Sequence, residues 1–168
     1  MVEFSIVGLV FGLALAFCAD VVIKLSVKGK LDRMSFSAVS VIKERTQLFD
    51  ETVFTISQAE FNQVNTIVQS SLNRTISNFS AQKYGSVLEV QTFNASQSAQ
   101  PLQTFRGGGL NCELNNGALD PSLAVVTSWG RRTTLYRVTL CYETENWFGD
   151  IIGEDYRIVS SSSVMVGR

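Results

Sequence analysis

Behind a single carboxylate at Glu3 lies a run with no charge at all, Phe4 to Ala19 (FSIVGLVFGLALAFCA). As a helix those residues rise about 24 Å, at roughly 1.5 Å per residue. A hydrocarbon core is about 30 Å thick, so the match is near. A carboxylate at the tip of such a helix is costly in lipid unless something pairs with it. A secretory signal peptide places positive charge there instead. The segment is therefore either an unusual anchor or a helix whose end needs a partner.

The rest of the chain bounds what the helix is attached to. Of 168 residues, those beyond the anchor and its stalk suffice for one small domain, since domains run about 50–250 residues. The net charge of -1 and the single adjacent basic pair, Arg131-Arg132, give no basis for nucleic-acid binding. There is no histidine. That closes His-based general base catalysis, Ser-His or Cys-His nucleophile pairs and the usual zinc sites. The expectation is a non-enzyme with no metal and no cofactor. Of the three cysteines, Cys18 lies in the apolar run and reads as a small hydrophobe. Cys112 and Cys141 lie in the polar part. A disulfide between them suits an extracytoplasmic domain and would stabilise it by about 3–4 kcal/mol on the chain-entropy model. Two free buried thiols are the alternative, and spacing alone does not decide.

Apolar residues continue past Asp20 through Ile23, and then Lys24, Lys28, Lys30 and Arg33 appear with Asp32 among them. Phe36, Val39, Ile42 and Phe49 recur at helical spacing. One long helix is predicted from about Val2 to Leu48, apolar all round in its first half and amphipathic in its second. Phe4, Ile6, Val7, Leu9, Phe11, Leu13, Leu15 and Phe17 form its membrane part. Asp20 is either an interfacial charge or the partner of Lys24 at i+4. The divisions expected are a transmembrane helix over 1–23, a helical stalk over 24–50 and an α+β domain over 51–168.

A second helix starts at a capping box, Ser57 at the N-cap and Glu60 three residues on, with Ile56 and Phe61 at the staple positions. Phe61, Val64, Val68, Leu72, Ile76 and Phe79 make one apolar face, and Gly85 is the expected stop. Strands are expected over Val87–Phe93, Thr133–Glu143 and Tyr156–Val166, with a short one over Leu123–Trp129. In Thr133–Glu143, Tyr136, Val138, Leu140 and Tyr142 share a face opposite Leu135, Arg137, Thr139, Cys141 and Glu143. Asn94 to Gly109 reads as a polar loop ending in a flexible Gly107-Gly108-Gly109 turn. Helices followed by strands point to α+β, an antiparallel sheet packed on the second helix.

Motifs for chemistry are weak. The glycine triplet lacks both the Lys-Ser/Thr of a phosphate loop and the spacing of a dinucleotide fingerprint. Asp150, Glu154 and Asp155 follow Trp147-Phe148 without an EF-hand pattern, so a solvated acidic loop is preferred to a calcium site. Asn73, Asn78 and Asn94 match the glycosylation acceptor pattern, read as chance in an Asn/Ser-rich chain. Phe17 is too large for a lipobox before Cys18, and acidic Glu3 opposes cleavage at Ala14-Leu15-Ala16.

Met1-Val2-Glu3-Phe4, the apolar helix to Ile23 and the amphipathic stalk resemble the N-terminus of a type IV pilin or pseudopilin. In particular they are similar to the tight-adherence (Tad) pseudopilins TadE and TadF. Asp20 to Arg33 (DVVIKLSVKGKLDR) and Arg137 to Tyr142 (RVTLCY) look more like TadF. The resemblance implies a leader cut after a glycine by a prepilin peptidase, leaving the acidic residue fifth in the mature chain. Glu3 corresponds to that residue, so the expected cut lies upstream of Met1. It implies that Glu3 pairs with the N-terminal amine of a neighbouring subunit. It also implies other pilins and pseudopilins, an inner-membrane assembly platform and the lipid bilayer as partners. The basic residues after the helix favour a cytoplasmic domain by the positive-inside rule. A basic leader and a disulfide oppose that, and the domain is expected in the periplasm. The expected function is a minor pilin acting in pilus assembly or priming. The alternative is a single-pass sensor whose periplasmic domain binds a ligand.

Overall fold

A computed structural model describes residues 2–49, 56–114 and 117–167. Helix α1 spans Val2–Phe49 without a break, which at about 1.5 Å per residue makes a rod of roughly 72 Å. No proline interrupts it. Gly8, Gly12 and Gly29 have nothing packed within 4 Å of where a side chain would begin. The stalk boundary expected between residues 50 and 51 lies outside the described residues, as does the side chain of Phe49.

Helix α2 spans Gln58–Thr75 and begins as the capping box dictates. The Ser57 amide donates to Glu60 Oε2 at 2.8 Å, and the Glu60 amide donates to Ser57 Oγ at 3.4 Å. Ile56 and Phe61 both enter the core. The helix ends ten residues before Gly85, because the chain turns extended at Ile76 and left-handed at Asn78 (φ 56°). Asparagine is among the few residues that tolerate that conformation. Lys30 of α1 then donates to the Thr75 carbonyl at 2.7 Å, a cation on an unsatisfied helix C-terminus.

Four strands follow: β1 (Tyr84–Gln91), β2 (Gln103–Gly108), β3 (Leu135–Glu143) and β4 (Ile158–Val166). They form one antiparallel sheet in the order β2-β1-β3-β4. A six-residue helix, α3 (Trp147–Ile152), sits in the β3–β4 connection, where the sequence suggested only an acidic loop. β2 replaces the end of the expected polar loop. Leu123–Trp129 is not a strand; Pro121–Leu123 forms a 3-10 turn, and Val126 makes one isolated bridge with Arg132.

One face of the sheet packs on both long helices. Tyr84, Leu88 and Val90 of β1 join Tyr136, Val138, Leu140 and Tyr142 of β3, as the alternation predicts. Val27, Leu31, Val39 and Ile42 of α1 meet them with Phe61, Val68 and Leu72 of α2. Phe36, expected in that stripe, is 60% exposed; Ser35 and Ala38 face the core instead. On the opposite face of β3, Leu135, Arg137, Thr139 and Cys141 are buried as well. The connection after β2, carrying Leu110, Cys112 and Leu114, packs over Val87 and Cys141. Burial on both faces explains why β1 shows no clean period-2 pattern.

Candidate functional site

Two regions of the surface have features that the domain's own stability does not require. The first is the front of α1. Glu3 and the side chains from Phe4 to Leu15 are exposed on every side of the helix: Phe4 is 85% exposed, Leu9 64% and Phe11 64%. A helix apolar all round is stable only inside protein or lipid, and a bare patch of this extent marks an interaction surface. By length and composition the helix is able to cross a membrane. Cys18 is a free, exposed thiol.

The bare surface ends where α3 meets α1. The Phe148 ring lies edge-on to Phe17, centroids 4.9 Å apart. Three residues later Asp20 is buried and paired with Lys24 at i+4, one of the two readings the sequence left open. The Lys24 ammonium lies 5.9 Å from the Tyr156 ring. Within the same loop, the hydrogen bonds from Arg157 and Asn146 to Asp150 hold its carboxyl below the usual carboxylate range. Asp155 also faces Arg157. The acidic residues considered for calcium are thus engaged by Arg157 or exposed, and among the described residues no His/Cys/Asp/Glu group is placed to hold a metal.

From there α1 runs alongside β4 and in its direction. Lys28 donates to the Ser160 carbonyl at 3.2 Å, Ser35 Oγ lies 2.8 Å from Ser163 Oγ, and Ser40 contacts Met165 Sδ. Asp32 accepts from Ser161. Ser160, Ser161 and Ser163 of β4 therefore form a polar seam that fastens the edge strand to the stalk.

The sheet is braced on its outer face. Cys112 and Cys141 form a disulfide with Cα atoms 5.9 Å apart. Gly85 lies beneath it. A Cβ there would stand 2.9 Å from Cys112 Sγ, 3.0 Å from Cys141 Sγ and against the Leu110 carbonyl, so only glycine leaves the space. Four residue pairs along the ladder from Gly85–Cys141, and so on the same face, Glu89 and Arg137 stand opposite each other in register and form a buried, two-pronged ion pair. Arg137 Nη2 also donates to the Gly117 carbonyl at 2.6 Å. The glycine triplet is not a flexible turn. Gly108 has φ +88° against the Tyr84 carbonyl, and Gly107 abuts Asn65. Asn65 Oδ1 accepts from the Tyr84 hydroxyl and from Ser86 Oγ at 2.8 and 2.7 Å, and burial pushes the Tyr84 hydroxyl above its ordinary value.

The second region is a cleft at the opposite end of the sheet from α3, where β1 ends and β3 begins. Phe93, Trp129, Arg132 and Tyr136 line a cavity of about 850 Å³, with the Arg132 guanidinium 5.5 Å from the Phe93 ring. Trp129 is 88% exposed. Sequence reading missed this cleft, because it joins loops far apart in the chain; the adjacent arginines were its only visible sign.

A bare apolar helix continuing without a break into the core of a small α+β domain is the architecture of a pilin subunit. The chain matches, over residues 1–168, the family described as "Putative tight adherence pilin protein F" (TadF). It belongs to the TadF family. No curated protein and no solved structure matches it. Membership associates the chain with the tight-adherence pilus as a pilin, a structural family, and the long apolar helix fits a membrane anchor.

Proposed function

We propose that this TadF-family chain is a minor pilin that acts in assembly or priming of the tight-adherence pilus. The observation that carries the reading is the exposure of the first half of α1 on all faces, in one unbroken helix with the half that packs in the folded domain. Before assembly that half anchors the subunit in the inner membrane, with the domain in the periplasm. The Cys112–Cys141 disulfide supports this side, because such bonds persist in oxidising compartments. During assembly the same helix surface exchanges lipid for the helices of other pilins, and a prepilin peptidase and an inner-membrane platform act on the subunit. Val22 at the end of the apolar span, and Leu25 and Phe36 on the stalk, stay exposed and extend the apolar contact surface toward neighbours.

Glu3 is the group that pairs with the N-terminal amine of an adjacent subunit. Opposite charges attract more strongly in a low-dielectric bundle than in water, and removing one partner of a buried pair costs about 3–5 kcal/mol. In cells carrying Glu3→Ala, surface pili counted by electron microscopy should be fewer or shorter. Normal number and length would remove Glu3 from this role.

The cleft at Trp129 supports a second reading, a membrane-anchored periplasmic protein that binds a ligand there, since ligand sites commonly measure about 300–1,000 Å³. Such a protein would remain a single-pass membrane protein and would not contact pilus subunits through α1.

A further inference from the structure

The β3–β4 connection and the first residue of β4 expose more apolar surface than their packing requires. Trp147, Ile151, Ile152, Tyr156 and Ile158 are exposed by 55, 56, 50, 54 and 54%. Their position relative to α1 shows what could cover them. Phe148 holds α3 against Phe17, a residue inside the apolar span and six residues before Ile23. Along the axis that is about 9 Å short of the end of the span, at 1.5 Å per residue. Interfacial helices bury their apolar face about 5–10 Å into the headgroup boundary. Tryptophan and tyrosine beside isoleucine is also the composition of membrane-interface belts.

The charges at this level are paired within α1 or within the loop. Asp20 is only 5% exposed and is paired with Lys24, which lies beside Tyr156. Asp150 is bonded to Arg157. Glu154 and Asp155 leave the loop acidic, so attraction to anionic headgroups would not drive contact; burial of apolar area would.

We propose that α3 and its flanking residues form a foot that inserts into the interfacial layer of the bilayer beside α1. The foot sets the domain against the membrane surface and covers the Asp20–Lys24 pair from lipid. This rests on the reading of α1 as a membrane anchor. The partner surface is the lipid interface, to which the foot is continuous through Phe17; a second copy of the chain is the competing occupant.

The test uses the full chain in phosphatidylcholine nanodiscs with lipids brominated near the headgroup end of the acyl chain. The chain has two tryptophans, so Trp129→Phe leaves Trp147 as the reporter and Trp147→Phe leaves Trp129. A third protein, Phe11→Trp in a background lacking both, reports on the anchor itself with lipids brominated deeper. Trp147 emission should be shifted to the blue and quenched, insensitive to salt and unchanged when protein is diluted into more lipid. Trp129 should be unquenched. Quenching in the Phe11→Trp protein with an unquenched, water-like Trp147 would overturn the foot and leave the anchor standing. Loss of both signals would bring down the anchor reading and the foot with it. A Trp147 blue shift that disappears on dilution would assign the surface to a second protein copy and overturn the lipid assignment.

Discussion

The two halves of α1 share one backbone and occupy two environments. From Glu3 to Ala19 nearly every side chain faces outward, whereas from Asp20 to Ile42 one face is buried on the sheet and stitched to β4. Leu9 and Leu31 make the contrast concrete: the first is 64% exposed and the second fully buried. Apart from the Phe17–Phe148 contact, the domain packs on the second half of α1. The first half is left for whatever surrounds the molecule, which on the proposed function is lipid in one state and neighbouring helices in another. The change of environment falls at the Asp20–Lys24 pair, where α3 closes on the helix.

Perturbations of the domain should be felt without touching the anchor. The largest is Arg137→Ala, which leaves Glu89 buried and unpaired. Denaturant unfolding of the full chain in detergent should show a loss of about 3–5 kcal/mol, while flotation with vesicles stays unchanged. An unaltered unfolding midpoint would mean that the outer face of the sheet is open to water. Next comes the contrast inside α1. Leu31→Ala should destabilise the domain by about 2–5 kcal/mol, and Leu9→Ala should leave the same midpoint where it was. Equal effects would erase the distinction between the halves. The smallest concerns α2, whose N-terminus is fixed by local bonds. Ser57→Ala should lose about 1 kcal/mol, read as a reduced midpoint with helix content nearly intact.

Local signals were readable in the sequence and tertiary ones were not. The Ser57–Glu60 box and the uncharged run after Glu3 each act within a few residues, and both helices begin as they dictate. The end of α2 was misread, because Ile76 and Phe79 continue its apolar spacing while actually lying in the turn beyond it. Phe79 stacks on Tyr142 from there. β2 escaped notice because its glycines have low strand preference, and the reason for them is contact with Asn65 and the Tyr84 carbonyl from distant elements. Likewise, the burial of Arg137 depends on the connection after β2, whose Gly117 carbonyl it reaches across the fold. Trp147, Phe148, Ile151 and Ile152 had the i, i+4 spacing of a helix face, too short a stretch to stand out beside the neighbouring acids.

The central claim is that the first half of α1 is a contact surface for other pilins. Thiol crosslinking along the helix in piliated cells tests it most directly, with Leu9→Cys, Phe11→Cys and Val39→Cys each placed in a Cys18→Ser background. The account predicts crosslinks to pilus subunits from positions 9 and 11 and none from position 39, which is buried in the domain. A membrane-bound protein that crosslinks to no pilus subunit from either outer position, in cells that carry pili, would contradict it.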